Sequence, residues 1–407
     1  MAERPRGTLQ CRGGTQISPS MIGPGTMPRV SAPRNHGTTV SVAFDGGPLL
    51  GPITGIGAAV AQMQRSLMAR DDVALRVYAL SFRGELLPGM TRLPLPAAVA
   101  QRLWPHLDQP RLDRWLRPAQ VLHGTNYAVG PSRLPRLVSV YDCWFLRNPR
   151  DASPVVVRAG EVLRRAVRTG ATVHASSHAT ADAVRELLGT DRVEVIPLAA
   201  LPMPLRPPER PSSELAARLG PMTTRPFVLS LGTLERRKNV PMLITAFASI
   251  ADAQPELGLV LAGGDGDDAA AIGAALATLP RSVAARVVRT GRVEPEDKHW
   301  LLANARLLAY PSLDEGFGFP LLEAMQSDLP VVASTRGSIP EVAADAAVLV
   351  EPLDSAALGD AILRVATDDP LRSALILAGR ARVDAFSWSE TAGHLAELYH
   401  RLAEKGC

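Results

Sequence analysis

Lysine is almost missing from this chain. Of its 44 basic residues only Lys238, Lys298 and Lys405 are lysines, and the rest are arginines. An arginine-rich surface suits nucleic acid, anionic lipid or phosphorylated substrates. With a formal net charge of +4, codon bias is the main reading of the excess, and no nucleic-acid partner is expected. Cysteine is equally scarce. Cys11, Cys143 and Cys407 are odd in number and far apart. That excludes a disulfide framework and zinc-type spacing, and a reducing, cytoplasmic location is the expectation. No apolar run of about 18 residues occurs, so no spanning helix is expected. His106, His123, His174, His178 and His299 lack paired metal spacing. The acidic "GGDGDD" (263–268) follows a strand and reads as a loop. No metal site and no cofactor are expected.

What the chain does have is length and apolar content. Its 407 residues imply two domains, and 46% apolar residues can fill sizeable cores. Residues 1–37 differ from the rest. They are rich in Pro, Gly, Arg and Ser, with Glu3 as the one acid. They read as a disordered extension, or as chain ahead of a true start at Met21 or Met27, and an organelle leader is the alternative.

From residue 38 short β-branched runs alternate with helical patterns. Residues 38–46, 73–80, 120–126, 135–142, 171–177 and 192–199 are near-continuously apolar, as strands buried on both faces are. Helical periodicity fills 56–70 and 178–188. Proline-dense "LPMPLRPPERPSSE" (201–214) reads as a linker. Six further strands follow, at 227–232, 257–263, 286–291, 305–312, 329–334 and 346–352. The expected fold is α/β with two doubly wound, Rossmann-like halves facing across a cleft. The domains are placed at 38–205 (acceptor side) and 226–385 (donor side), joined by a linker at 206–225. Residues 386–407 form a helix returning to the first domain.

Two loops at strand ends carry the chemistry. In "SLDEGFGFPLLEAM" (312–325) a glycine-rich turn leads into a helix opened by Pro320. Free N–H groups there favour an anion, and Gly316 and Gly318 admit close backbone approach. Glu315 and Glu323 flank the turn, where carboxylates accept well from sugar or ribose hydroxyls. The competing reading is a helix start with one acid favoured by the dipole. About 80 residues earlier, "LSLGTLERRKNV" sets Arg236, Arg237 and Lys238 after Gly232 at a strand end, a cationic cluster suited to a diphosphate.

Together "GTLERRKN", "TGRVEPED", "YPSLDEGFGFPLLEAM" and "GSIPEVAADAAVLVEP" resemble, in order, the motifs of retaining glycosyltransferases of family 4, bacterial mannosyltransferase-like enzymes with the GT-B fold. "GPITGIG", "VLHGTNY", "VSVYDCWFLRNP" and "VHASSHATADAV" extend the resemblance through the first half. It implies a nucleotide-sugar donor as co-substrate, with GDP-mannose favoured by the "GTLERRKN" form. It also implies a glycan, lipid-linked glycan or small-molecule acceptor. Glu315 would hold the donor sugar with the backbone of Gly316, Phe317 and Gly318. Glu323 would bind the ribose, and Lys238 with Arg237 the diphosphate. Backbone near Val293 would meet the base, and Gly55 and Gly57 the leaving phosphates and acceptor. Tyr141 and Asp142 would face the donor sugar, although relatives often carry His where Tyr141 stands, and tyrosine is a poor base near neutral pH. A nucleotide-sugar 2-epimerase and a non-catalytic nucleotide-sugar-binding subunit are the alternatives. Trp104, Trp115 and Trp144 among arginines between 101 and 170 fit a membrane or acceptor face as well as core packing, so peripheral membrane association, at the inner face, stays open.

Overall fold

The computed structural model describes residues 39–51, 54–81 and 85–406. The expectations for residues 1–37, and for Pro52 and Ile53 in the "GPITGIG" loop, lie outside the described residues. The first half forms a parallel sheet from β1 (Val40–Asp45), β2 (Val73–Ala79), β3 (Thr91–Arg92), β4 (Val121–Gly124), β5 (Arg136–Val140), β6 (Thr172–Ala175) and β7 (Val193–Val195). Its spatial order is β3-β2-β1-β4-β5-β6-β7. The second forms another from β8 (Phe227–Leu231), β9 (Gly258–Ala262), β10 (Val287–Gly291), β11 (Leu307–Tyr310), β12 (Val331–Ser334) and β13 (Ala347–Val350), ordered β10-β9-β8-β11-β12-β13. Every residue of β4, β8, β9 and β12 is buried, which explains their largely apolar sequences.

In both sheets the order reverses once, between β1 and β4 and between β8 and β11. There the flanking connections diverge and leave a crevice at the carboxyl ends of the strands. The cationic loop follows β8 and the "DEGFGF" turn follows β11, so the two motifs meet at that reversal.

Two expectations change. The first sheet has a seventh strand, the two-residue β3, too short to leave a pattern. Residues 206–225 are also not a plain linker, because a helix spans Ser213–Leu219. The Ser212 hydroxyl caps it by accepting from Leu215 N–H, and Leu215 and Leu219 are buried. Ser212 is itself tied to Asp297, with its N–H 2.8 Å and its Oγ 2.7 Å from the carboxylate. This stretch therefore packs with the second sheet.

The last helix, Trp388–Gly406, packs against the helix Gly55–Met68 beside the first sheet. Trp388 Nε1 donates to the Ala200 carbonyl at 2.8 Å and Thr391 Oγ1 to that of Pro197 at 2.8 Å. Further along, Tyr399 reaches a buried polar chain that crosses the sheet. Its hydroxyl is 2.7 Å from His123 Nδ1, and His123 Nε2 is 2.8 Å from Ser139 Oγ. Ser139 Oγ is 2.8 Å from His174 Nδ1, and His174 Nε2 is 2.9 Å from the Ile196 carbonyl. That carbonyl can only accept, so His174 Nε2 carries the proton and Nδ1 accepts from Ser139. Ser139 then accepts from His123 Nε2–H, and His123 Nδ1 accepts from Tyr399. One tautomer assignment satisfies the whole chain with both rings neutral. Burial lowers both imidazoles, His123 far and His174 to about 4.

Candidate active site

Gly232 leaves β8 at φ +136, a backbone that favours glycine, and a Cβ there would lie 3.3 Å from Lys238 Cε. The chain then makes a tight turn at Arg236–Lys238 and enters the helix Val240–Ile250 through Asn239, at φ 57. The Asn239 amide donates to the carbonyls of Pro311 (3.2 Å) and Pro352 (2.7 Å), fixing this turn to the ends of β11 and β13. Leu313 N–H donates to the Arg237 carbonyl at 2.8 Å, joining the two motif loops directly.

The joined loops form a compact charge cluster. Arg237 Nη1 lies 2.6 Å from Glu315 Oε2, and Lys238 Nζ 2.6 Å from Glu315 Oε1. Lys238 Nζ also donates to the Tyr310 hydroxyl at 2.6 Å. Glu315 is 6% exposed. Burial alone would push its carboxyl up, but the Arg237 guanidinium and Lys238 ammonium hold it down to about 2. Two cations thus face one carboxylate, with Glu235 a looser partner of Arg237 at 3.4 Å.

Glu323 lies in the helix Phe319–Gln326, 4% exposed, with Lys298 Nζ 2.7 Å from its Oε1. Lys298 belongs to the helix Pro295–Asn304, which follows β10 and the loop holding half-buried Val293. The two glutamates therefore have separate cationic partners.

Gly318 adopts φ +86 as the residue before that helix, which only glycine takes readily. Gly316 serves a different need. A Cβ on it would sit 1.4 Å from the Tyr141 carbonyl oxygen, so this glycine lets the turn press against the first domain. Phe317 is buried beside Phe319 and Phe386.

On the first domain, the Tyr141 hydroxyl turns inward and donates to the Thr125 carbonyl at 2.7 Å. Burial pushes its phenol well above the usual range. Asp142 accepts from the Tyr127 hydroxyl and from Trp144 N–H, each at 3.1 Å. Asp142, Glu315 and Gly316 line a cleft of about 520 Å³. Gly55 and Gly57 start the helix Gly55–Met68, where Thr54 caps the Gly57 N–H at 3.2 Å. A Cβ at Gly55 would meet open space.

Sequence reasoning passed over three residues here. Asp45, at the carboxyl end of β1, accepts from Gly47 N–H at 2.9 Å, and burial pushes its carboxyl up to about 6. Asp314 shares the cleft with Asp142, and burial followed by that neighbouring charge raises its carboxyl. Gly337, at φ +57, packs so tightly that a Cβ would lie 2.5 Å from the backbone N and O of Glu315. One signal was present for Gly337, the "GSIPEVA" motif. Single acids after strands carry none. Among the described residues no group of three or more His, Cys, Asp or Glu side chains could hold a metal.

Residues 212–382 match the family described as Glycosyl transferases group 1. Over 89% of this chain and all of the relative, the sequence is 27% identical to the O-antigen chain mannosyltransferase B of Escherichia coli. Among solved structures, the sucrose-phosphate synthase of Thermosynechococcus elongatus aligns with a TM-score of 0.67 at 20% identity, covering 90% of this chain and 100% of that one. Anabaena Alr3699/HepE, solved in complex with UDP-glucose, aligns with a TM-score of 0.60 at 18% identity over 89% and 99%. With the strand reversals and paired loops described above, these matches make residues 212–382 a glycosyltransferase group 1 domain within a chain of GT-B architecture.

Proposed function

We propose that this glycosyltransferase moves a hexose, mannose in the first instance, from a nucleotide-sugar donor to a glycan or lipid-linked glycan acceptor with retention at the anomeric carbon. The observation that carries the reading is the buried Glu315–Arg237–Lys238 cluster at the β8/β11 reversal. Its excess positive charge suits a diphosphate, and a carboxylate held ionised beside it suits sugar hydroxyls. The relative's name supports mannose and a polysaccharide acceptor, and the UDP-glucose complex of the structural neighbour supports a nucleotide-sugar donor.

In this reading Lys238 and Arg237 hold the diphosphate and Glu323 the ribose. Val293 backbone meets the base, and Glu315 with the backbone of 316–318 holds the sugar. Gly55 and Gly57 face the leaving phosphates. As the bond from the anomeric carbon to the phosphate oxygen breaks, its electron pair stays with the phosphate, where the two cations stabilise the charge. The acceptor oxygen bonds to the same face of that carbon, and its proton passes to the departing phosphate. Tyr141 and Asp142 shape the wall beside the sugar.

No described helix is long and apolar enough to cross a membrane. The helix Ala97–Leu103 instead carries exposed Arg102 one turn from exposed Val99, and the helix Pro154–Arg168 carries exposed Val155 at its start and exposed Arg164 and Arg168 towards its end. That mixture fits anionic lipid, and we assign the enzyme to the cytoplasmic face of a membrane. Co-sedimentation with anionic but not neutral vesicles tests this, and equal binding to both would refute it.

A thermal-shift panel of nucleotide sugars tests the function. A donor at about 100 times its Kd adds roughly 2.7 kcal/mol of stability. No shift with any nucleotide sugar would refute the reading. Isomerised donor without acceptor would instead indicate an epimerase.

A further inference from the structure

Three hydroxyls of the first domain converge on one carbonyl of the donor turn. Ser176 Oγ lies 3.0 Å, Ser177 Oγ 2.8 Å and Thr180 Oγ1 3.1 Å from the Gly316 oxygen. Ser176 and Thr180 also lie 3.2 Å each from the Tyr141 oxygen. All three side chains are buried, at 1%, 0% and 2% exposure. Each hydroxyl has one proton, and the two carbonyls together offer four lone pairs, so the trio can satisfy both at once. The contact requires glycine at 316, since a Cβ there would overlap the Tyr141 oxygen.

The same seam holds a second cross-domain contact. The Glu341 carboxylate accepts from the N–H groups of His178 (2.9 and 3.1 Å) and Ala179 (3.4 Å) at the start of the helix His178–Leu188. Glu341 lies just beyond Ser338, whose N–H donates to the Glu315 carbonyl at 2.9 Å. The residue that would grip the donor sugar is therefore flanked on both sides by backbone tied to the seam: Gly316 to the hydroxyl trio, and the Glu315 carbonyl to the segment that carries Glu341.

We propose that Ser176, Ser177 and Thr180 are positioning residues for sugar transfer: through these hydroxyls the first domain sets the backbone of the Glu315–Gly318 turn from across the cleft. The inference rests on the nucleotide-sugar reading of the cluster. It separates two parts of the donor site. The diphosphate cations belong wholly to the second domain, so nucleotide binding does not need the trio. The sugar turn does.

The test is the Ser176→Ala/Thr180→Val double variant, with Ser176→Ala/Thr180→Ser as the conservative restoration. Ser177 is left intact because it also caps the helix His178–Leu188. GDP and GDP-mannose are the probes, with UDP and UDP-glucose in parallel. Binding is read by calorimetry and turnover by release of the nucleoside diphosphate. The double variant should bind the nucleoside diphosphate within about twofold of the unaltered chain and lose the extra affinity given by the sugar. Its turnover should fall about 10- to 100-fold, as misplacement by an ångström or less can cause. The serine-containing variant should recover most of that loss. Unchanged turnover in the double variant would overturn the proposal, and so would equal loss of diphosphate and donor affinity. If the unaltered chain bound none of the four probes, the nucleotide-sugar reading itself would fail, and this inference with it.

Discussion

Lys238 Nζ and Arg237 Nη1 each stand 2.6 Å from a different oxygen of Glu315, so both cations assigned to the diphosphate share a single buried carboxylate. Removing its charge leaves two largely buried cations short of a partner. Breaking a buried pair from one side costs about 3–5 kcal/mol. Glu315→Gln should therefore melt well below the unaltered protein when ligand-free and regain much of the difference when GDP is added. Differential scanning calorimetry with and without GDP measures this. A variant with unchanged melting would show that the pairs contribute little.

Tyr141 stands where the resemblance leads one to expect a histidine, and its hydroxyl is spent on the Thr125 carbonyl at 2.7 Å. Tyr141→Phe removes that donor from a buried carbonyl, a loss of about 1–3 kcal/mol. Stability should fall by that amount while diphosphate affinity stays the same. Denaturant unfolding and calorimetry check the two halves. Loss of diphosphate affinity without loss of stability would instead place the hydroxyl in the donor site.

The chain through His123, Ser139 and His174 makes stability depend on pH. His174 has a folded pKa of about 4 against 6.5 for the free side chain. Between those values the unfolded chain binds a proton that the folded chain does not, so stability rises with pH across the window. The contribution is complete above about 6.5 and fades as pH falls towards 4. It amounts to about 3 kcal/mol for His174, and His123 adds to it in the same direction. Glu315 fades in a lower window, from 4.5 down to about 2. Melting temperatures at pH 7.5, 5.5 and 4.5 should drop steadily for the unaltered chain and less steeply for His174→Gln. Parallel curves would exclude the histidine as the cause.

Asp45 has the opposite sign. Its folded pKa of about 6 lies above the free value of 3.8, so its burial costs stability as pH rises through that interval. Asp45→Asn should raise the melting temperature at pH 8 and leave it unchanged near pH 4. A drop at both pH values would mean that the carboxylate, with its bond to Gly47 N–H, holds the loop after β1 together.

The strands could be read from the sequence because most are covered on both faces and so write long apolar runs, as in "FVLSL" and "GLVLA". Proline density around 201–214 hid the helix Ser213–Leu219, although Ser212 followed by Glu214 is an ordinary helix start. Glu315, Arg237 and Lys238 were legible as a set because loops at the ends of β8 and β11 are neighbours in any sheet of this order. The job of Gly316 was not legible. Its constraint is the Tyr141 carbonyl, 175 positions away in sequence, and the residues that meet it, Ser176, Ser177 and Thr180, look like an ordinary helix start. The buried histidines were likewise opaque. Ser139 and His174 are register partners on adjacent strands, a relation that spacing along the chain does not encode.

The assignment of the two glutamates to different ends of the donor is the central claim, and calorimetric titration of GDP against Glu323→Gln and Glu315→Gln tests it most directly, with initial transfer rates measured on the same samples. A hydrogen bond to a charged group contributes about 1.5–3 kcal/mol, or roughly 10- to 150-fold in affinity. Glu323→Gln should weaken GDP by a factor in that range. Glu315→Gln should bind GDP at least as well as the unaltered chain, because its cations are then free for the diphosphate, and should lose transfer instead. Equal loss of GDP affinity in both variants, or no loss in either, would contradict the account.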